Sequence, residues 1–309
     1  MSHLYVGLMS GTSADGIDAA LVDFSDTKPI LIGSHYEPYP ADLRDKIFAL
    51  YQKDDNEIQR AGELDVILGK KFADTAIQLI KKHNIDPSLV KAIGSHGQTI
   101  RHYPHHPHRF SMQIGDPNTI ATETGIITIA DFRRKDIALG GQGAPLVPAF
   151  HQQVFAGRDT NRAIVNIGGI ANITLLSQKS TDKVVGFDTG PGNCVMDAWI
   201  QKHQNTSHDA NGNWAMTGTV HPQLLKRLLS DIYFQLPPPK STGREHFNLM
   251  WLQKHLDALQ VAISPESVQA TLTDLTARTI ITSIRQYFSS GEILICGGGA
   301  HNQFLMTRL

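Results

Sequence analysis

Four strand-like apolar runs in this sequence are each followed directly by a turn that contains glycine. The turns lie at residues 10–16, 168–169, 186–192 and 297–299. Glycine lets main-chain amides approach a ligand closely, and successive exposed amides form anion-binding sites. One such turn is weak evidence, but four together predict the binding of phosphate groups.

Predicted strands and helices alternate along the chain, and the rhythm of strand, tight turn and strand in the first half returns in the second. The predicted strands are 4–9, 17–24, 29–35, 126–132, 163–167, 173–176, 184–188 and 292–296, with a short strand reaching 95–99. The predicted helices are 56–83, 117–124, 146–156, 194–202 and 264–288, and 236–243 is predicted to be a linker or surface loop. This alternation predicts an α/β fold with two related halves. We divide the chain into an N-terminal domain, 1–130, and a second domain, 131–309.

The composition argues against several classes of protein. The 309 residues include 28 Lys and Arg against 29 Asp and Glu, a formal net charge of −1, which argues against a nucleic-acid binder. The two cysteines, Cys194 and Cys296, give no disulfide framework and are predicted to be small packing residues in a reducing cytoplasm. No run of about 18 apolar residues occurs, and we expect neither a membrane span nor a leader.

The common nucleotide-binding motifs do not fit this sequence. No Gly-x-x-x-x-Gly-Lys-Ser/Thr is present, and no Gly-x-Gly-x-x-Gly follows a strand to open a helix. The glycines of 140–143 have the wrong spacing. A nicotinamide-dependent dehydrogenase is therefore disfavoured.

The glycine turns do resemble those of the superfamily of sugar kinases, heat-shock ATPases and actin. There, each of two domains carries a phosphate hairpin, and a Gly-Gly turn near the C-terminus contacts the adenosine. Within that superfamily the sequence closely resembles the anhydro-N-acetylmuramic acid kinase family. The matching stretches, in family order, are Gly7–Asp18, Ser95–Thr99, Gln113–Pro117, Ala130–Asp136, Gly140–Pro148, Val165–Asn172, Phe187–Asn193 and Ile295–Asn302. The resemblance implies a two-domain, actin-like ATPase fold of the ribonuclease H-like type with an interdomain cleft.

The resemblance also implies an activity. Family members phosphorylate 1,6-anhydro-N-acetylmuramic acid with ATP and open its anhydro bridge with water, which gives N-acetylmuramic acid 6-phosphate and ADP in peptidoglycan recycling. ATP and Mg²⁺ are then the expected cofactors, a small anhydro amino sugar is the expected partner, and the family suggests a homodimer. The positions implied to hold the nucleotide are Gly11, Thr12, Ser13, Ala14, Asp15, Gly16, Asp18, Gly168, Gly169, Gly297, Gly298 and Asn302. Asp15 would meet the magnesium through water, since Mg²⁺ keeps much of its hydration.

Asp188 is the predicted catalytic residue. It follows an apolar strand and precedes the glycine-rich stretch 189–193, so its carboxylate can stand exposed at a site. The implied reaction needs a base to take a proton from the water that attacks the anomeric carbon, and a positioned carboxylate contributes about 10²–10⁴-fold. The alternative role for Asp188 is to cap the helix that follows.

Polar residues of the first half and just beyond it are the predicted sugar contacts. Arg133 or Arg134, beside Asp131, would pair with the lactyl carboxylate of the substrate. A solvated charge run is the alternative. Gln98 and Thr99 would contact sugar hydroxyls or the N-acetyl group.

Histidines offer further candidates. His96 would orient the substrate or serve as a structural hydrogen-bonding group. The cluster of His102, His105, His106 and His108 could hold a metal, but its prolines favour a solvated loop.

Other interpretations stay open at this point. Another carbohydrate kinase of the superfamily would phosphorylate a different sugar. A non-catalytic, ATP-gated binding protein would phosphorylate no sugar. A glycosidase needs two placed carboxylates but has no use for phosphate-type turns. Family members also continue well beyond a turn such as 297–302, whereas this chain stops at Leu309, so the resemblance predicts that a C-terminal part is missing.

Overall fold

The computed structural model describes residues 3–26, 28–52, 54–104, 106–157, 159–179, 182–259 and 261–309. The chain divides into two compact units, Met1–Gly143 and Ala144–Leu309. Each unit has a mixed β-sheet and helices, as the α/β class requires. Among the described residues, no helix is long and apolar enough to cross a membrane.

The first unit contains an N-terminal β-hairpin at the centre of its sheet. Its elements are β1 (Leu4–Ser10), β2 (Gly16–Asp23), β3 (Ile30–Pro38), α1 (Ala41–Ala49), α2 (Glu57–Lys82), β4 (Val90–Tyr103), β5 (Phe110–Ile114), α3 (Pro117–Thr124), β6 (Thr128–Ile129) and α4 (Phe132–Ala138), with a 3₁₀ turn at Pro87–Leu89. The strand order is β3-β2-β1-β4-β5, and β6 pairs with β4. β1 is antiparallel to β2 and parallel to β4. Because side chains alternate along β1, Val6 and Leu8 are buried whereas Tyr5 and Met9 are exposed.

Helix α2 covers the buried face of this sheet. Its apolar residues recur at helical spacing, and the buried face carries Leu64, Leu68, Phe72, Ala76, Leu79 and Ile80. These side chains form one hydrophobic cluster with the inward residues of β1 and β2. The hairpin is therefore fixed against the longest helix of the unit.

The second unit also begins its sheet with a hairpin. Its elements are α5 (Pro148–Phe155), β7 (Arg162–Ile167), β8 (Ile170–Leu176), β9 (Val185–Pro191), α6 (Cys194–Gln204), α7 (Asn213–Met216), α8 (Pro222–Leu229), α9 (Leu249–Asp257), α10 (Pro265–Arg285), β10 (Glu292–Cys296) and α11 (Gln303–Arg308), with 3₁₀ turns at Ala210–Gly212, Ile232–Gln235 and Gly298–His301. The strand order is β10-β7-β8-β9. Helix α10 packs against this sheet and is buried along most of its length.

The two sheets share a strand order. β3-β2-β1-β4 in the first unit corresponds to β9-β8-β7-β10 in the second, with two antiparallel pairings followed by a parallel one in each. The rhythm seen in the sequence is therefore a repeat of topology. It gives the turn after β1 and the turn after β7 equivalent positions in their units.

The structure differs from the predicted elements in several places. β4 is one long strand that includes His102, where a short strand and a loop were predicted. The strand predicted at 126–132 is reduced to β6, because Asp131 takes a left-handed φ of 62° and α4 starts at the next residue. The boundary predicted after residue 130 lies inside the first unit, since Arg133 of α4 hydrogen-bonds to His96 of β4.

Candidate active site

The turn between β1 and β2 is braced by Gln98 of β4. The Nε2 group of Gln98 donates to Gly11 O at 3.0 Å, and Ser10 Oγ lies 2.7 Å from Gln98 Oε1. Ala14, with a left-handed φ of 48°, is fully buried, and its N–H donates to Gly11 O at 3.1 Å. Because Gln98 is also fully buried, this predicted sugar contact lies within the support of the hairpin.

The polar residues of the same hairpin carry two neighbouring carboxylates. Ser13 Oγ donates to Asp15 Oδ1 at 3.1 Å, and Tyr51 OH donates to Thr12 O at 3.1 Å. Burial and, second, the nearby Asp15 charge raise the pKa of Asp18. Two carboxylates fit a hydrated divalent cation. In the part of the chain that the structure describes, no group of three or more His, Cys, Asp or Glu residues is arranged to hold a metal directly.

A cavity of about 490 Å³ lies in the first unit beside β4 and β5. Its polar wall is formed by Asp65, Ser95, His96, Gln113, Asp131 and Arg134. Arg134 Nε donates to Asp131 Oδ2 at 2.6 Å, and both side chains are exposed. Gln113 Nε2 donates to Thr99 Oγ1 at 3.1 Å, so Thr99 stands behind this wall. The structure thus groups the predicted Asp131, Arg134 and Thr99 around one cavity.

His96 and Arg133 form a hydrogen-bonded pair at this cavity. His96 Nδ1 donates to Gly97 O at 2.8 Å, which leaves Nε2 to accept from Arg133 Nε at 2.9 Å. Burial, and then the adjacent guanidinium, lower the pKa of His96 to about 4. Arg133 also donates to Gly143 O. His96 is therefore a neutral hydrogen-bonding group, and Arg133 is held by its neighbours on β4 and after α4.

Three glycine turns meet at one end of the second sheet. The N–H groups of Gly192 and Asn193 donate to the carbonyl oxygens of Gly169 and Gly168 at 2.9 and 2.8 Å. Gly297, with a left-handed φ of 82°, packs so closely that a Cβ there would lie 2.8 Å from the last carbonyl oxygen of β7. The turns predicted to serve phosphate and adenosine are thus neighbours in this unit.

Asp188 lies in the middle of β9 rather than after a strand, and at 7% exposure it is buried, so the exposed carboxylate predicted from the sequence is not found. The N–H of Thr242 donates to Asp188 Oδ2 at 3.0 Å. The main chain of Asp188 is also held, because its N–H donates to Lys240 O at 3.2 Å and Tyr233 OH donates to its carbonyl oxygen at 2.7 Å. The alternative role as a helix cap does not hold, since Asn193 occupies the N-cap of α6.

The segment 236–243 was predicted to be a linker or surface loop, yet it contacts Asp188. Lys240 and Ser241 are only 7% and 6% exposed. Lys240 Nζ donates to Tyr233 O at 3.2 Å and lies over the Tyr233 and Phe187 rings, 4.8 and 5.7 Å from their centroids. Lysine side chains are normally exposed. Apart from the prolines that precede Lys240, the sequence therefore does not indicate that this lysine is buried.

Arg244 is a second residue that the sequence reasoning missed. A Cβ built on Gly169 would lie 3.3 Å from the Arg244 guanidinium, which therefore stands beside the β7–β8 turn. Arg244 also acts on Asp197 of α6: burial raises the pKa of Asp197 to about 6, while His208 and Arg244 oppose that rise. An exposed guanidinium beside a glycine turn is placed to meet phosphate oxygens.

The remaining predicted residues have local partners. Asn302 Oδ1 accepts from Leu305 N at 3.0 Å and caps α11. Cys194 is buried, and burial raises the pKa of its thiol to about 12. Cys296 is exposed and immediately precedes the turn at 297–299, so its prediction as a packing residue is wrong.

The histidine-rich stretch does not form a metal site among the described residues. His102 lies on β4 with Nδ1 3.0 Å from Ser111 Oγ of β5, whereas His106 and His108 are exposed. His105 lies outside the described residues.

The two sheets share a strand order, and in the second unit glycine turns lie beside a buried carboxylate. The fold and the site therefore define an α/β protein with two related units. Residues 3–309 match the family model described as anhydro-N-acetylmuramic acid kinase, and the chain belongs to that family. The family predicted from the sequence motifs is confirmed.

Relatives of that name are similar over almost the whole chain. The anhydro-N-acetylmuramic acid kinase of Saccharophagus degradans is 53% identical, and the alignment covers 99% of this chain and 83% of the relative. That of Shewanella oneidensis is 55% identical, with 99% and 82% covered, and that of Coxiella burnetii is 50% identical, with 99% and 81% covered. The matches run through this chain almost completely, which gives no support to the expectation that a C-terminal part is missing.

Solved structures are more distant. Component A of the (R)-2-hydroxyglutaryl-CoA dehydratase of Acidaminococcus fermentans has 7% sequence identity and a TM-score of 0.48, covering 100% of this chain and 88% of that chain. This similarity is too weak to support a statement about fold or function.

Proposed function

We propose that this chain phosphorylates O6 of 1,6-anhydro-N-acetylmuramic acid with ATP and opens the anhydro bridge with water. The products are N-acetylmuramic acid 6-phosphate and ADP, and the role is peptidoglycan recycling in the cytoplasm. The observation that carries this proposal is the family match over residues 3–309, together with relatives of that name at 50–55% identity.

Asp188 is the proposed general base. Its carboxylate takes a proton from a water molecule whose oxygen attacks C1, the C1–O6 bond breaks, and O6 bonds to the γ-phosphorus as ADP leaves. A base of this kind must be held in one orientation, and the Thr242 N–H, 3.0 Å from Oδ2, supports that requirement.

Each unit, taken by itself, carries residues that suit a part of ATP or its magnesium ion. In the first unit the turn at 11–16 would supply main-chain amides; in the second unit the turns at 168–169 and 297–298 would do so, and the Arg244 guanidinium lies beside the first of these two. Asp15 and Asp18 suit a hydrated cation. When bound, Mg²⁺ neutralises phosphate charge.

Arg134, rather than Arg133, is the proposed partner of the lactyl carboxylate. Arg134 lines the cavity and is held by the exposed Asp131, a pairing that a substrate carboxylate can replace. Arg133 is engaged by His96 and a main-chain carbonyl. Thr99 would act on the substrate through Gln113, its hydrogen-bond partner in the cavity wall. Gln98 would act through the turn between β1 and β2, which it holds in place.

The repeated strand order supports assignment to the actin-like, ribonuclease H-like ATPase fold. We also propose the homodimer that the family resemblance suggests, which sedimentation equilibrium would test against a monomer.

Mass analysis of the product formed in oxygen-18 water tests the proposed reaction. We expect one heavy oxygen on C1 of a 6-phosphorylated sugar, formed only when ATP is present. A hydrolysed sugar without phosphate would indicate a glycosidase, and ATP hydrolysis independent of sugar would indicate a binding protein. Faster turnover of a different sugar in a panel would indicate another carbohydrate kinase.

A further inference from the structure

The proposed base lies on the edge strand of its sheet. β9 ends the strand order β10-β7-β8-β9, and an edge strand leaves alternate N–H and C=O groups without a neighbouring strand. At Asp188 both groups bond to residues from outside the sheet. The N–H donates to Lys240 O at 3.2 Å, and the carbonyl oxygen accepts from Tyr233 OH at 2.7 Å. The Tyr233 hydroxyl therefore replaces a hydrogen bond that a neighbouring strand would make.

The pairing of β9 with β8 changes register directly after the proposed base. Asp188 pairs with Asn172. The next residue back along β8, Ala171, pairs with Gly190, so Thr189 is an extra residue and forms a β-bulge. A bulge interrupts the ladder, bends its strand and redirects nearby side chains. The direction of the Asp188 side chain thus depends on bonds from outside the ladder as well as on the pairing with β8.

Tyr233 is itself held in place by Asp231. Asp231 Oδ1 accepts from Tyr233 N at 2.9 Å and so caps the 3₁₀ turn Ile232–Gln235. Asp231 Oδ2 accepts from Trp251 Nε1 at 2.8 Å, and His246 Nε2 lies 3.1 Å from the same oxygen. Tyr233 is only 4% exposed, so close packing leaves its ring little room to move. The hydroxyl is therefore presented to the Asp188 carbonyl oxygen from a fixed position.

We propose that Tyr233 is a positioning residue for the proposed reaction: its hydroxyl holds the main chain of Asp188 so that the carboxylate points at the reacting water. This inference rests on the proposed function, because it needs Asp188 to act as the base. Tyr233 touches no reacting atom in this role and acts through the Asp188 carbonyl oxygen, while the N–H of Thr242 holds Oδ2 directly. Tyrosine is neutral over the working pH range, so the hydroxyl keeps the proton that it donates.

Removing the hydroxyl should slow the chemical step and leave binding almost unchanged. Tyr233→Phe keeps the ring but deletes the donor to Asp188 O. Since a displacement of about 1 Å at a reacting group costs roughly 10²-fold in rate, we expect kcat to fall by about 10–100-fold. The KM values for ATP and for the anhydrosugar should stay within about 2-fold, because Tyr233 contacts neither ligand in this role.

The experiment compares steady-state kinetics and melting temperatures of wild type, Tyr233→Phe and Tyr287→Phe. Tyr287→Phe is the matched control and should keep wild-type kcat, because that ring also packs beside β9, 6.2 Å from the Phe187 centroid, but Tyr287 is 44% exposed. A folded Tyr233→Phe with wild-type kcat overturns the proposal. A fall in kcat accompanied by a large rise in KM and a large drop in Tm also overturns it, since that pattern indicates a purely structural role.

Asp231 provides a second pair of variants should Tyr233→Phe not fold at the assay temperature. Asp231→Ala removes the acceptor of Tyr233 N and should lower kcat as the loss of the hydroxyl does. Asp231→Asn keeps an oxygen for this N–H and should regain most of the turnover. Equal kcat values in the two Asp231 variants contradict the role of Tyr233.

Asp188→Asn separates this inference from the proposed function. Because Tyr233 acts through the base, adding Tyr233→Phe to Asp188→Asn should cost far less turnover than Tyr233→Phe alone, and an additive loss overturns the inference. An inactive Asp188→Asn together with wild-type kcat in Tyr233→Phe removes only the role of Tyr233. An asparagine variant that keeps more than a tenth of wild-type turnover removes Asp188 as the base, and the inference with it.

Discussion

At the scale of single residues, the site depends on how one carboxylate is held. Asp188 is buried within β9, and a main-chain N–H holds one of its oxygens. Its neighbours fix the strand through Tyr233 OH and Lys240 O. In its proposed role as the base, a carboxylate with so little freedom would lose little entropy on meeting the reacting water.

Replacing Asp188 by Asn keeps the size of the side chain but removes its basic lone pair. We expect turnover to fall by at least about 10³-fold, as for loss of a general base, while ATP binding is largely kept. Steady-state kinetics and calorimetry with ATP measure the two effects. Loss of ATP affinity in parallel with turnover would instead mean that the variant is misfolded.

His96 predicts a pH dependence of stability in the first unit. Its pKa is lowered from 6.5 to about 4, so between these values the unfolded chain binds more protons than the folded one. The free energy of unfolding therefore falls as pH drops through this window, by up to roughly 3 kcal/mol for this group. His96→Gln, which can make both hydrogen bonds without titrating, should show a smaller decline.

Urea denaturation of wild type and His96→Gln from pH 7 to pH 4 checks this. The informative quantity is the difference in the free energy of unfolding between the two proteins. Asp18 and Asp65 have raised pKa values, so they stabilise the fold as the pH drops, but they do so equally in both proteins. Parallel curves would contradict the neutral state of His96.

The sequence predicts Asp188 as a site residue because a motif surrounds it, but it does not single out Lys240 or Arg244. The position of Asp188 follows from a strand and a glycine turn that are adjacent in sequence. Lys240 and Arg244 reach β9 and the β7–β8 turn only through the fold, because they lie 52 and 75 positions along the chain from Asp188 and Gly169. Charge and exposure of such residues are set by tertiary packing, which local pattern does not encode.

At the scale of elements, the β1–β2 hairpin combines a rigid support with an accessible turn. Gly11 has room for a side chain, since a Cβ there would meet only Ser13 Oγ, at 3.8 Å. Gly16 has none, because a Cβ would lie 2.5 Å from Glu37 O. The two glycines of one turn therefore serve different purposes.

Gly11→Val should weaken ATP binding without unfolding the protein. The new side chain fits the structure but occupies space in which we propose phosphate to lie. Calorimetry with ATP and with the anhydrosugar, separately, should show a loss for the nucleotide alone. Gly7→Val, on the strand β1 that leads into this turn and with no atom within 4 Å of its Cβ, is the control. Unchanged ATP affinity in Gly11→Val would reject the phosphate assignment of this turn.

The sequence predicts elements with strong local signals well. It does not predict elements whose ends depend on the backbone conformation or on contacts with distant residues. Helix α2 lies within a residue of its predicted bounds, because its apolar spacing and its polar end are both local. The apolar run before Asp131 was read as a strand. It ends early because Asp131 takes a left-handed φ and α4 begins at Phe132, and Arg133 of that helix is then hydrogen-bonded to His96, which is far away in sequence.

At the scale of the whole molecule, each unit has its own core. The hydrophobic cluster of the first unit lies between Leu4 and Ile126, and the two clusters of the second lie between Ala163 and Leu309. Units with separate cores of this size are able to fold alone. The α/β class and the two-part organisation were both predictable, because the hairpin rhythm occurs twice.

The fragment 1–143 should therefore fold on its own with a cooperative thermal transition. A fragment 1–130, cut at the boundary predicted from sequence, lacks α4 and the bond between Arg133 and His96, so it should melt at a lower temperature. Circular dichroism on the two fragments measures both effects. A gradual, non-cooperative transition in fragment 1–143 would contradict an independent core.

The two cysteines differ in a way that is useful at the bench. Cys194 is buried with a strongly raised pKa, whereas Cys296 is exposed at the end of β10, one residue before the glycine turn. A maleimide dye would accordingly attach to a single position of the unaltered chain, next to the proposed adenosine site. The protein thus carries its own attachment point for a fluorescent reporter of nucleotide arrival, and no engineered thiol is required.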